Sequence, residues 1–189
     1  MKGVISFVVA SIFLLALLSS AQKISSRAPD YSYQPVADAA LLQAAVKAAF
    51  SDAMASAAVK ALAAAQATGA EAQPAVKAAL YAAALDFEGQ LRENGYRAVF
   101  WCGSPTEGAR QAASEEMALE GHETIPQGAL PLSSPICADG FDANLLRENA
   151  RIDGIGFSLY SEQNKAGYAY AFPKNFEVDF AASLAGGRI

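Results

Sequence analysis

The chain has 189 residues, which is enough for one domain or for one domain with a helical stalk. Hydrophobic residues make up 53% of it and the formal net charge is −5, which argues against a nucleic-acid-binding protein because such a protein carries a basic face. Two cysteines far apart in sequence and a single histidine do not make a zinc site.

The chain opens on a hydrophobic run. Val4 to Ala21 carry no charge and no proline. A helix of that length measures about 27 Å, close to the roughly 30 Å of a bilayer core. Lys2 precedes the run and Lys23 and Arg27 follow it, so the positive charges do not decide its orientation. We predict a hydrophobic signal or anchor helix over residues 1–21.

Two fates of this run follow from its own residues and flanks. Ser19-Ser20-Ala21 places small residues where a signal peptidase cuts, with release at Gln22, so the run can be a cleaved secretory signal. The run can also stay as a permanent membrane anchor that holds the rest of the chain outside. A third fate depends on the two residues that stand directly before the run.

Those residues are Lys2-Gly3, and the run then begins with the sequence VISFV up to Val8. This start resembles the signal of type IV pilins, especially the archaeal kind. The resemblance implies removal of a short leader between Gly3 and Val4, with the run kept for packing in the centre of a filament. Bacterial pilins have Glu at the fifth mature position, where this chain has Val8. The implied assembly helix includes Val4, Phe7, Val8, Ile12, Phe13, Leu14 and Leu17.

An Ala-rich helical region follows a linker over residues 22–35, which is rich in Ser, Pro and Arg. Large apolar residues recur every four positions between Leu42 and Leu62, which predicts one helix up to Thr68. A second helix follows Gly69 and ends at Asn94-Gly95. The helical region thus spans residues 36–94. Its apolar stripe fits either a subunit-assembly surface or the intramolecular core, and we favour the core.

The predicted head, residues 95–189, begins with a strand over Tyr96–Trp101. The sequence Ser104-Pro105-Thr106-Glu107 resembles a capping box with proline at the first helical position, and it predicts a short helix. Residues 121–140 predict a long surface loop. In an exported protein Cys102 and Cys137 form a disulfide that pins this loop to the first strand, and the alternative is two buried thiols.

The end of the chain alternates between apolar and small or polar residues, which predicts three antiparallel strands in a meander. The strand near Tyr96 completes their sheet. The fold class is therefore α+β: an N-terminal hydrophobic helix, an Ala-rich helical hairpin, and a small antiparallel head with one short helix. The alternating residues are Ile155, Phe157, Leu159, Tyr168, Tyr170, Phe172, Phe176, Val178 and Phe180.

The sequence offers no recognisable active site. His122 has no nucleophile motif to serve, and we interpret it as an exposed loop residue. Residues 139–144 lack the register of a calcium loop and are interpreted as a turn. We interpret Trp101 and the tail tyrosines as sheet-core aromatics rather than sugar platforms. The acidic residues of a solvated helix end, rather than a cation site, are Glu115, Glu116, Glu120 and Glu123.

These observations favour a structural surface subunit, similar to a type IV pilin, that forms a filament through its first helix. It is extracytoplasmic, at the cell surface or anchored in the membrane. Its partners are the membrane and copies of itself, with no nucleic acid, cofactor, metal or small-molecule substrate, and no enzymatic activity. The alternative is a membrane-anchored or secreted binding domain of unknown ligand. A third reading is an extracytoplasmic enzyme whose site the sequence does not reveal.

Overall fold

The computed structural model describes residues 34–162, 165–172 and 176–180. The predicted hydrophobic helix and the linker up to residue 33 lie outside these residues. The chain divides into two compact units, Met1–Ala49 and Phe50–Ile189. We call Phe50–Ile189 the C-terminal unit. It combines helices with antiparallel sheet, which confirms the predicted α+β class.

Two long helices match the Ala-rich region. Helix α1 spans Gln34–Thr68 and helix α2 spans Ala72–Glu93, so α1 begins inside the predicted linker. Each helix is followed within two residues by a glycine with positive φ, +69° at Gly69 and +84° at Gly95, a conformation that favours glycine. The predicted stops after Thr68 and at Asn94-Gly95 are therefore confirmed.

The strands form two antiparallel sheets rather than one. The strands are β1 Arg97–Gly103, β2 Ala129–Pro131, β3 Phe141–Asn144, β4 Asn149–Ile152, β5 Ile155–Ser161, β6 Ala166–Ala171 and β7 Phe176–Asp179. The larger sheet has the order β2-β1-β5-β6 and the smaller has the order β3-β4-β7. The third helix, α3, spans Glu107–Glu120, and a 3-10 helix spans Pro135–Gly140.

The predicted single meander is wrong at its last strand. β5 and β6 pair as expected and β1 completes their sheet, but β7 pairs with β4. β3 and β4 were not predicted, and residues 139–144 are not a turn but the end of a 3-10 helix followed by β3. Both strands have four residues, and each buries one large and one small side chain, Phe141 with Ala143 and Ile152 with Ala150, so the apolar alternation is short.

Two further local predictions are corrected. The N-cap of α3 is Thr106, whose hydroxyl accepts the Ala109 N–H at 3.2 Å, so the proline at position 105 precedes the cap instead of opening the helix. The predicted surface loop over residues 121–140 contains β2 and the 3-10 helix. Three residues of strand are too short to give a period-two pattern.

The core of the C-terminal unit centres on Phe50. Its ring, which is 0% exposed, lies 5.3–5.6 Å, centroid to centroid, from four other aromatic rings. From Phe50 onward, the stripe of the Ala-rich helices is thus intramolecular core, as favoured from the sequence. The four rings are Phe87, Phe100, Phe172 and Phe176.

The other face of the larger sheet packs against α3. The fully buried Trp101 crosses Gly156, where a Cβ atom would collide with the indole ring. Gly167 of β6 lies so close to α3 that a Cβ there would be 2.7 Å from the Ser114 carbonyl oxygen. Close backbone approach therefore requires glycine at both positions. With both faces covered, the edges of this sheet and the loops beyond them carry its accessible groups.

Candidate functional site

The predicted processing and assembly residues lie outside the described part of the chain. Gly3 and Val4 stay predicted processing residues, and the assembly helix stays a prediction. Its members are Val4, Phe7, Val8, Ile12, Phe13, Leu14 and Leu17. The sites that the structure does describe are all in the C-terminal unit.

One described helix meets the length and composition of a membrane span. It covers Leu41–Thr68. Within it, Phe50, Met54 and Ala58 are each 0% exposed, and Phe50 packs among the aromatic rings of the core. The abundance of alanine raises the hydropathy of this helix, while its large side chains from Phe50 onward are used for packing inside the C-terminal unit.

Cys102 and Cys137 form a disulfide, with Cα atoms 5.6 Å apart, which confirms the predicted pairing. Cys102 lies in β1 opposite Leu130 of β2, and Cys137 lies in the 3-10 helix. The Cys137 Sγ atom is 3.3 Å from the carbonyl oxygen of Pro131. The disulfide thus links the chain that follows β2 to β1, the strand with which β2 pairs. We call this region, residues 129–137 with Cys102, the disulfide corner.

The disulfide corner is anchored by a few buried groups and shows apolar side chains to solvent. Leu132 is fully buried, and the Tyr81 hydroxyl of α2 donates to the Leu132 carbonyl oxygen at 2.8 Å. Leu130 and Ile136 are 41% and 67% exposed. Residues 124–138 contain no charged side chain. The corner is therefore an uncharged, braced surface of an otherwise acidic unit.

Side chains from the helices bond the part of β1 that β2 leaves unpaired and the edge strand β6. The Phe100 N–H donates to Glu88 Oε2 at 2.9 Å, and Arg92 Nε donates to the Ala98 carbonyl oxygen at 2.9 Å. On β6, the Ala169 N–H donates to Ser114 Oγ at 3.0 Å. These bonds block strand pairing at the edges.

Sequence reasoning missed these edge contacts. Glu88 and Arg92 stand four residues apart on α2, and their side chains also pair at 3.1 Å, a spacing that predicts an ion pair on a helix. Nothing in that spacing indicates that both side chains reach the backbone of β1. Ser114 is one serine in a polar helix face, and its role depends on the close approach of β6.

The acidic and histidine side chains near α3 are distributed rather than clustered. His122 is exposed, as predicted, with its Nε2 atom 3.2 Å from Glu120 Oε2. Glu123 instead faces Arg92 at 3.6 Å, and Glu115 accepts from Gln111 at 3.1 Å. Among the described residues, no three His, Cys, Asp or Glu side chains are grouped to hold a metal ion.

The aromatic residues belong mainly to the core. Trp101 is 0% exposed and its Nε1–H donates to Ser158 Oγ at 3.2 Å, so it cannot stack on a sugar. Tyr168 and Tyr170 are partly exposed on β6, with ring planes within 17° of parallel and centroids 6.2 Å apart. Burial, and secondarily Tyr168, raise the pKa of Tyr170, which keeps its phenol neutral at physiological pH.

Comparison with known proteins assigns no family to this chain. The chain matches no protein-family model, no curated protein and no solved structure. The resemblance to type IV pilins therefore rests on Lys2-Gly3 and the run that begins at Val4.

Proposed function

We propose that this protein is a structural, pilin-like surface subunit that assembles into a filament through its N-terminal hydrophobic helix. The observation that carries the proposal is the uncharged run Val4–Ala21 directly after Lys2-Gly3. Removal of the leader after Gly3 would leave a helix of about 27 Å without a single side-chain charge. Such a helix can be buried along its whole length against copies of itself.

The disulfide of the C-terminal unit supports an extracytoplasmic position, and the charge of the unit supports its solubility. Its disulfide is of the kind that persists in oxidising compartments and is rare in the cytosol. The unit also has ten Lys and Arg against 17 Asp and Glu, a formal charge of −7, whereas residues 1–49 have four against two. An acidic unit stays soluble and keeps its copies apart in water while the apolar helices pack.

The membrane-contacting helix of this proposal is the N-terminal run rather than α1. From Phe50 onward, α1 contributes fully buried side chains to the core of the C-terminal unit. Moving it into lipid would expose the aromatic cluster around Phe50 to water.

A charge in the N-terminal run tests the proposal. Leu14→Asp is expected to abolish filaments, since an aspartate at the centre of a buried apolar helix costs about 2.5–3.5 kcal/mol in each subunit. The matched control is Leu146→Asp, which makes the same change at a side chain that is 99% exposed. Filaments are measured by sedimentation and electron microscopy, and folding of the unit by the emission of Trp101.

Normal filaments from Leu14→Asp would contradict the assembly proposal. Loss of filaments counts in its favour only when Trp101 still shows a buried emission and Leu146→Asp assembles normally. This pair of readings separates a failure of assembly from a failure of folding.

The disulfide corner favours a second candidate function, a membrane-anchored or secreted binding domain. Leu130 and Ile136 present apolar side chains on a braced, uncharged surface, which is a suitable form for recognition. In the anchored form the chain would extract with detergent as a monomer, and in the secreted form it would be a soluble domain. Neither form would pellet as polymers. Neither candidate gives the C-terminal unit a catalytic role.

A further inference from the structure

We propose that the Cys102–Cys137 disulfide is a reducible latch on a sheet edge. In the oxidised protein it keeps β2 paired along the edge of β1. Reduction by a dithiol releases β2 and opens the backbone of β1 between Phe100 and Cys102. This inference concerns the C-terminal unit alone and does not depend on filament assembly.

Two different sets of hydrogen bonds occupy the same edge of β1. Over Ala98–Phe100 the backbone is bonded by Arg92 and Glu88, two side chains fixed on α2. Over Trp101–Gly103 it is paired instead with β2, a separate piece of chain. The side chains of the first set belong to a long helix of the core. The second set lasts only as long as β2 stays paired with β1.

β2 itself makes few stabilising contacts. It has three residues, and its Leu130 and Pro131 are exposed, so the strand buries little apolar surface. Its anchors are the buried Leu132, the hydrogen bonds from Tyr81 and the disulfide that follows. Of these, the disulfide alone is covalent.

The disulfide is placed where it acts directly on this pairing. Cys102 is itself a residue of the covered stretch and is paired with Leu130. Its partner Cys137 is 1% exposed and packs its sulfur 3.3 Å from the Pro131 carbonyl oxygen. Breaking the bond therefore removes the covalent link between β1 and the chain that follows β2, next to the residues through which the two strands pair.

The reduction is a two-electron exchange with a dithiol. A thiolate of the dithiol attacks the sulfur of the partly exposed Cys102 and displaces Cys137 as a thiolate. The second thiol of the reductant then displaces Cys102 and closes the reductant's own disulfide. The two cysteines take up two protons and end as thiols.

Amide hydrogen exchange, resolved by NMR for the full-length protein in detergent micelles, tests the latch. The Leu132 N–H donates to the Phe100 carbonyl oxygen at 2.9 Å, and by the alternation of an antiparallel pair the Cys102 N–H also faces β2. The Gly103 N–H is a matched control in the same strand, because it donates to the Gly154 carbonyl oxygen at 2.7 Å and not to β2.

On addition of dithiothreitol we expect exchange at Leu132 and Cys102 to become faster and their protection factors to fall at least about tenfold below that of Gly103, whose exchange speeds up only as far as loss of the disulfide lowers the stability of the whole unit. The double variant Cys102→Ala/Cys137→Ala should show the fast Leu132 exchange without reductant and no response to it. The latch is overturned if Leu132 and Cys102 stay protected in the reduced protein. It is equally overturned if Leu132, Cys102 and Gly103 have the same protection factor after reduction, because that result means unfolding of the whole sheet.

Discussion

Replacing Phe50 by alanine is expected to lower the free energy of unfolding of the C-terminal unit by about 3–5 kcal/mol. The ring is completely buried and touches rings contributed by α2, by β1 and by the end of the chain. No single neighbour can move into the space that the ring leaves, because each is held by its own helix or strand. The loss therefore combines the transfer of the ring with a cavity.

Urea unfolding of the full chain in a mild detergent measures this effect. Trp101 is the single tryptophan of the chain and is fully buried, so its emission reports on the core. Leu146→Ala is the control, since a side chain that is 99% exposed should change the stability by less than about 0.5 kcal/mol. A loss below about 1 kcal/mol for Phe50→Ala would contradict the central place of this ring in the core.

Removing both cysteines, Cys102→Ala with Cys137→Ala, is expected to lower the free energy of unfolding by about 4 kcal/mol. The disulfide closes a loop between residues 35 apart in sequence, and opening that loop gives the unfolded chain more conformations. Residues 121–140 have few buried side chains to replace the bond, so compensation by packing is small.

The urea unfolding measurement can be controlled by reducing the disulfide in the unchanged protein. The oxidised protein treated with a dithiol should shift to the stability of the double variant, and the double variant itself should not respond. The chain has no other cysteine that could respond. Equal stability of the oxidised protein and the double variant would show that the bond constrains nothing in the unfolded state.

The helices could be predicted because their signals are long and consistent. Alanine favours the helix at most positions, and apolar residues that recur every fourth position, such as Phe50, Met54 and Ala58, are buried. Glycine at 69 and 95 then marks the ends through its positive φ. Local propensity, periodicity and termination agree, which is the condition under which a sequence alone specifies an element.

The second sheet could not be predicted because its signals are short. β3 and β4 bury Ala143 and Ala150 at positions where a larger side chain would have marked a strand. The last strand was recognised from Phe176 and Val178, but alternation within a strand does not indicate its partner. The pairing of β7 with β4 is a property of the assembled core.

The candidate site divides in the same way. The disulfide could be predicted from two cysteines in a chain that we expected to be exported, and the structure confirms it. The corner around it could not, because β2 becomes a strand only when it lies along β1. Likewise, the four-residue spacing of Glu88 and Arg92 on α2 does not indicate that both side chains bond the backbone of a neighbouring strand.

The N-terminal residue and intact mass of the protein, taken from native membranes and from material shed by the cells, test the proposed function most directly. The assembly proposal predicts a chain that begins at Val4, with the hydrophobic run retained. A chain that begins at Gln22 would contradict it, because the proposed assembly helix would have been removed. A chain that begins at Met1 would also contradict it and would leave an uncleaved membrane anchor.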